Sequence, residues 1–239
     1  MIDSLAGKFA VVTGGTRGIG RAIAERLLRE GAAVALCGRS TDAVERACQE
    51  MAVLGRVFGE AADVTDASAV RKFFHAVDDA FGALDILVNN AGAARFRKIG
   101  EMTPEDWHYQ IDLNLNAAFY CAHEAVPRMI RRGGGSIVNI SSLAAKNAFS
   151  GGAAYNAAKA GLNAFTDALM LDHRHDNIRV TTIMPGSVDT GFSAGERRPP
   201  DTSWMIAPED IAEIVSLVLR MPARTMVSSV EVRPSRPRK

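Results

Sequence analysis

The stretch Phe9-Ala-Val-Val-Thr-Gly-Gly-Thr-Arg-Gly-Ile-Gly20, continuing as Arg21-Ala-Ile-Ala-Glu-Arg-Leu-Leu-Arg29, decides the fold. Its first five residues are a short apolar run without polar alternation, the mark of a strand covered on both faces, as in a parallel sheet. Glycines follow at 14, 15, 18 and 20, and apolar residues then recur at helical spacing. Ile23 pairs with Leu27 and Ala24 with Leu28, while Glu25 and Arg29 fall on the outer face. The order is strand, tight turn, helix. A glycine-rich turn at a helix N-terminus lets the backbone approach a pyrophosphate, so Gly14, Thr16, Arg17, Gly18, Ile19 and Gly20 are candidate dinucleotide contacts.

The same unit repeats outward from this start. Residues 33–37 form a second apolar run, 41–54 an amphipathic stretch, and a third strand runs from near Val57 to Asp63. Thr65-Asp66 opens a helix through Phe81 that Gly82 stops, and 85–89 is the fourth strand. Thr103-Pro104-Glu105-Asp106 supplies an N-cap, a first-turn proline and first-turn acids, which predicts one long helix to about Arg132, ended by three glycines. Strands at 136–141, 178–184 and 226–232 alternate with helices at 152–174 and 208–220. The reading is an α/β chain. One Rossmann-type domain spans 1–239, with a doubly wound, seven-stranded parallel sheet and helices on both faces. The charged, proline-rich 193–204 reads as a mobile surface loop, and the basic 233–239 as a frayed, solvated tail.

Composition excludes several classes. The 239 residues carry 28 Lys+Arg against 27 Asp+Glu, a net charge of +1 that offers no footprint for nucleic acid or an anionic membrane. Cys37, Cys48 and Cys121 form no CxxC and no metal-ligand spacing, so neither a disulfide framework nor a metal is expected. His173 and His175, two apart near a helix end, read as solvated. With no apolar span of ~18 residues, the expected location is cytoplasmic.

Ligands of an open parallel sheet bind beyond the carboxyl ends of its strands. A binder of NAD places an acid at the end of the second strand, for the ribose hydroxyls. Here that strand ends Leu36-Cys37-Gly38-Arg39-Ser40, with an arginine and no acid. Arg39 with Arg17 favours a 2′-phosphate, hence NADPH/NADP+. Tyr155 and Lys159, four apart on a helix, share one face, and a nearby ammonium lowers a tyrosine pKa from its usual ~10. Tyr155 can then exchange a proton with a carbonyl oxygen that Ser142 also hydrogen-bonds.

TGxxxGxG at 13–20, NNAG at 89–92, a serine thirteen residues before the tyrosine of YxxxK at 155–159, and PG at 185–186 together resemble the short, single-domain branch of the short-chain dehydrogenase/reductase family. The resemblance spans nearly the whole chain. It implies a catalytic group of Asn114, Ser142, Tyr155 and Lys159, with Lys159 also holding the nicotinamide ribose and Asn114 keeping a water in a proton relay to Lys159. It further implies cofactor contacts from Ser40, from Asp63 and Val64 at the adenine, from Asn90, Ala91 and Gly92, with Asn89 supporting the pocket, and from Pro185, Gly186, Val188 and Thr190 at the nicotinamide. By the same resemblance the loop 193–204 is the substrate lid, and Phe192, Trp204 and Met205 either line the pocket or lid or pack onto the last helix.

Within the family the chain looks most like 3-oxoacyl-carrier-protein reductases and broad carbonyl reductases. Two departures count against an acyl carrier protein partner: the chain ends MVSSVEVRPSRPRK rather than with a GQ…GG strand, and Asp176 stands where a docking cation is usual. Arg128, Arg131 and Arg132 remain a basic patch, although cations suit a helix C-terminus without any partner. The leading expectation is NADPH-dependent reduction of a ketone, a 3-oxoacyl thioester being one candidate, to a secondary alcohol. The alternatives are a dehydrogenase of a polyol or hydroxylated metabolite and a non-catalytic NADP sensor. The long helices at 103–132 and 152–174 are the face that family members pair, so a homodimer or homotetramer is expected.

Overall fold

The computed structural model describes residues 4–190 and 201–237. Seven strands, β1 (Phe9–Thr13), β2 (Ala33–Gly38), β3 (Val57–Ala61), β4 (Ile86–Asn89), β5 (Gly135–Ile140), β6 (Ile178–Pro185) and β7 (Ser229–Val232), form one sheet in the order β3-β2-β1-β4-β5-β6-β7. Every pairing is parallel. The order reverses between β1 and β4, which opens a crevice beyond their carboxyl ends.

Helices cover both faces, as the unalternating strands require. On one side α1 (Gly18–Arg29), α2 (Thr41–Met51) and α7 (Pro208–Leu219) enclose a core containing Ile23, Leu27, Val34, Leu36, Ile183 and Val215. On the other, α3 (Ala67–Phe81), α5 (Ala117–Arg132) and α6 (Ala153–His173) pack Phe73, Phe74, Val77, Cys121, Met129 and Leu169 against the sheet. Side chains cap three helices from the sequence positions that their residue types favour: Ser40 Oγ accepts from Ala43 N, Asp66 Oδ1 from Ser68 N, and Thr103 Oγ1 from Asp106 N at the head of α4 (Pro104–Ile111). Gly82 at φ +71° and Gly133 at φ +88° end α3 and α5 in the left-handed conformation.

Four readings are corrected. The helix expected across 103–132 is interrupted by a π turn, Asp112–Asn116, between α4 and α5, a local widening that periodicity does not register. The last strand begins at Ser229, where its register with β6 starts opposite Thr182. His173 is not free in solvent: its Nδ1 lies 2.9 Å from Asp176 Oδ2. Arg128 offers nothing to a patch, since its guanidinium binds Asp78 at 2.8 Å and Glu124 at 2.9 Å with only 9% of the side chain exposed. Among the described residues no helix is long and apolar enough to cross a membrane.

Candidate active site

A cleft of about 980 Å³ lies at the carboxyl ends of the strands, where β1 and β4 part. The turn after β1 forms its floor. Unlike α2, α3 and α4, helix α1 receives no side-chain cap, so its first-turn N–H groups remain for a ligand. Gly18 at φ +55° leads into that helix, and a Cβ on Gly14 would sit 3.1 Å from Ala91 Cα and from Asn90 Nδ2. The close approach of the β1 and β4 turns therefore excludes side chains there. Thr13 joins these turns: its Oγ1 accepts from the N–H groups of Asn90 and Ala91, both at 3.0 Å. Asn90 Nδ2 donates back to Thr13 O at 2.9 Å and Gly14 O at 3.2 Å.

Of the residues proposed from sequence, Gly14, Thr16, Arg17, Gly18, Ile19, Arg39, Asp63, Val64, Asn90, Ala91, Gly92, Pro185, Gly186, Val188 and Thr190 line the cleft. Arg17 and Arg39 have no ion-pair partner among the described residues. Gly20 and Ser40 do not line it. A Cβ on Gly20 would fall 2.3 Å from Gly14 O, so this glycine lets α1 close on the turn, and the Ser40 hydroxyl is occupied as the α2 cap. Asn89 lies behind the wall in a buried chain: its Nδ2 donates to Asn139 Oδ1 at 2.9 Å, and Asn139 Nδ2 to Thr166 Oγ1 at 2.8 Å. Phe192 and most of the expected lid, 193–200, lie outside the described residues, while Trp204 and Met205 line the cleft.

Ser142, Tyr155 and Lys159 meet in the wall of the cleft. Helix α6 starts two residues before Tyr155 and carries Lys159 one turn on, with Nζ 5.9 Å from the tyrosine ring centroid. Tyr155 hydrogen-bonds Ser142, whose Oγ also accepts from Ala144 N at 3.1 Å. Lys159 Nζ donates to Ile140 O at 2.9 Å. The expected lowering of the tyrosine pKa is reversed. Burial pushes Tyr155 up to about 12, opposed only by the Ser142 hydrogen bond, and burial pushes Lys159 down to about 8. In the free protein desolvation outweighs what the ammonium does for the phenolate. Asn114 does not line the cleft; it sits on the π turn, 2% exposed, with Nδ2 donating to Ala93 O at 2.9 Å.

A family model described as short chain dehydrogenase matches residues 8–201. The chain belongs to the short-chain dehydrogenase/reductase family. It is an enzyme, an oxidoreductase. An uncharacterized oxidoreductase of Staphylococcus aureus (strain N315) is 34% identical over 230 residues, covering 96% of this chain and 98% of that one. An alcohol dehydrogenase from the archaeon Thermococcus sibiricus, solved with 5-hydroxy-NADP, is 31% identical with a TM-score of 0.87, covering 97% and 99% of the two chains. A metagenomic short-chain oxidoreductase in complex with NADP is 35% identical with a TM-score of 0.86, covering 98% and 100%.

Two features of this short-chain dehydrogenase/reductase escaped the sequence. Gln110, 1% exposed, lies one helical turn before Asn114 and accepts from its Nδ2. A buried-face glutamine four residues before a polar candidate was the available signal. Of the segment read as a frayed tail, the described residues 233–237 stand against the cleft: Gly186 N donates to Val232 O at 2.8 Å, and Arg233, Pro234 and Pro237 line the cavity. A Cβ on Gly186 would approach Pro234 Cδ to 3.1 Å. Glu231 fastens this wall, pairing with Lys146 at 2.7 Å and Arg233 at 2.9 Å. A chain ending at Val232 keeps the β6–β7 pairing but loses the wall. Its KM for a bulky substrate is expected to rise roughly tenfold with cofactor Kd within about twofold, as steady-state kinetics and fluorescence titration will show.

Proposed function

We propose that the chain is an NADPH-dependent carbonyl reductase that converts a ketone to a secondary alcohol, with Tyr155 as proton donor. The observation that carries the reading is the meeting of Ser142, Tyr155 and Lys159 in one cleft with the glycine turn and two arginines that no described residue pairs. The residues fit a dinucleotide phosphate. The uncapped α1 terminus and the cradle at Gly14 and Gly18 suit a pyrophosphate, and Arg17 and Arg39 suit a 2′-phosphate. When bound, NADPH supplies the hydride. The NADP complexes of similar oxidoreductases support the same choice.

The protein's own part is to hold the carbonyl and deliver a proton. Ser142 Oγ and Tyr155 Oη together form a donor pair for one oxygen, stabilising the charge that develops on it. A phenol held well above neutral pH stays protonated, so it stands ready as an acid, which suits reduction. Lys159, buried beside it, supplies the positive charge that lets the phenol release its proton, and Asn114 backs Lys159. Phe96, Leu143, Phe149, Trp204, Met205 and Pro234 give the substrate end an apolar wall, which suits an apolar-flanked ketone, a 3-oxoacyl thioester among them.

The test is NADPH oxidation with an acetoacetyl thioester and with simple ketones, NADH run in parallel. Turnover of any ketone with NADPH supports the reading, and turnover of the thioester extends it to acyl substrates. Tight NADPH binding without turnover of either class overturns it. The working unit is a dimer built on α5 and α6, where Phe119 is 48% and Leu171 57% exposed and Phe119 stacks against Phe165. Light scattering at micromolar concentration is expected to give twice or four times the 25.6 kDa chain mass. A monomer, or a dimer that survives Phe119→Asp, contradicts that face.

A further inference from the structure

The two ends of an asparagine amide are nearly the same shape, so its surroundings decide which end faces where. On one side of Asn114, Nδ2 meets three acceptors: Ala93 O at 2.9 Å, Gln110 O at 3.0 Å and Gln110 Oε1 at 2.9 Å. On the other, Oδ1 is buried and accepts no hydrogen bond. It lies 2.9 Å from the point where a Cβ on Gly92 would stand, and Lys159 Nζ is 3.7 Å from that same point. Gln110 is itself oriented, because its Nε2 donates to Arg95 O at 3.0 Å and so turns Oε1 toward Asn114.

We propose that Gln110 is a positioning residue: it fixes the Asn114 amide so that Oδ1 is turned toward Lys159. The inference rests on the reading of Lys159 as part of the catalytic group. A reversed amide would set Oδ1 against three oxygens, two of them from Gln110, and Nδ2 toward the ammonium. The groups around Lys159 are few. Its own helix brings Tyr155, β5 the Ile140 carbonyl, the turn after β4 Gly92, and the π turn Asn114. Burial is the one cause that moves its pKa, with no charged side chain contributing. In that setting an amide oxygen on the Gly92 side that Lys159 Nζ shares favours the charged form of the ammonium, and a reversed amide favours the neutral amine.

The test titrates Lys159 directly in the cofactor-free protein, by NMR of lysine labelled at Cε and Nζ, with Lys159→Arg identifying the resonance. Gln110→Leu removes the side-chain acceptor and is expected to lower the midpoint by roughly half to one pH unit. Gln110→Glu keeps an acceptor, adds negative charge, and is expected to raise the midpoint by a similar amount. The alkaline limb of kcat for ketone reduction should move in the same two directions, with cofactor KM within about twofold. A carboxylate at 110 raises the midpoint through its charge alone, so the fall in Gln110→Leu is the reading that a purely structural role does not produce. Should Gln110→Leu fail to fold, Gln110→Met, of similar length and without the acceptor, takes its place with the same expected fall. Equal midpoints in all foldable forms, or shifts of one sign, overturn the proposal. Failure of the unmodified protein to reduce any ketone sinks the functional reading instead, and the NMR midpoints still judge Gln110.

Discussion

Tyr155→Phe is expected to lower kcat for ketone reduction by roughly 10² to 10⁴-fold, the contribution of a positioned general acid, with NADPH affinity changed by less than about threefold. The substitution removes one oxygen and keeps the ring that packs edge-on to Phe96 at 6.0 Å between centroids, so the fold has no reason to change. Tyr155 is 7% exposed and bonded to Ser142, so its hydroxyl is held in place as a donor at the cleft wall. The pH dependence follows from the same burial. Tyr155, pushed up to about 12, remains protonated across the working range, whereas Lys159, pushed down to about 8, loses its charge as pH rises through that value. For the unmodified enzyme kcat/KM for NADPH, which reports free-enzyme groups, should therefore fall on the alkaline side with a midpoint near 8. Single-turnover kinetics separates the two outcomes: a Tyr155→Phe variant that keeps more than a tenth of the rate would remove Tyr155 from the role of proton donor.

Much of this site was legible because its residues follow strand ends, and strand ends are announced by glycine, proline and the close of an apolar run. Gly14, Gly18, Asn90, Gly92, Pro185 and Gly186 all stand at such places, and all line the cleft. What periodicity cannot carry is contact between distant segments. The π turn at Asp112–Asn116 adds a local backbone adjustment that no residue type marks, and it is this turn that places Asn114 behind Gly92. The wall at 233–237 was illegible for a related reason: its prolines and arginines look solvated in sequence, yet the pairing of Val232 with the Pro185-Gly186 turn fixes them over the cleft. The tyrosine pKa went wrong in sign because the lysine was visible from sequence and the depth of burial was not.

Arg39→Asp is expected to reverse the cofactor preference. Arg39 follows β2 at the edge of the cleft, where Gly38 N–H and carbonyl pairing with β3 holds the backbone and no described residue competes for the guanidinium. A charge-assisted hydrogen bond from arginine to a phosphate contributes about 1.5–3 kcal/mol, or roughly 10- to 150-fold in Kd. The aspartate adds repulsion of the phosphate dianion and offers acceptors to ribose hydroxyls, so the loss for NADPH and the gain for NADH act in the same direction. The ratio of kcat/KM for the two cofactors should then fall by roughly 10³-fold, mostly through KM, while kcat with saturating cofactor stays within about threefold because the site of proton transfer is untouched. Arg17→Ala, which removes charge without adding any, should weaken NADPH binding and leave NADH nearly unchanged. Fluorescence titration of each variant with both cofactors measures this directly, and an Arg39→Asp protein that still favours NADPH would place the 2′-phosphate on other residues of the cleft.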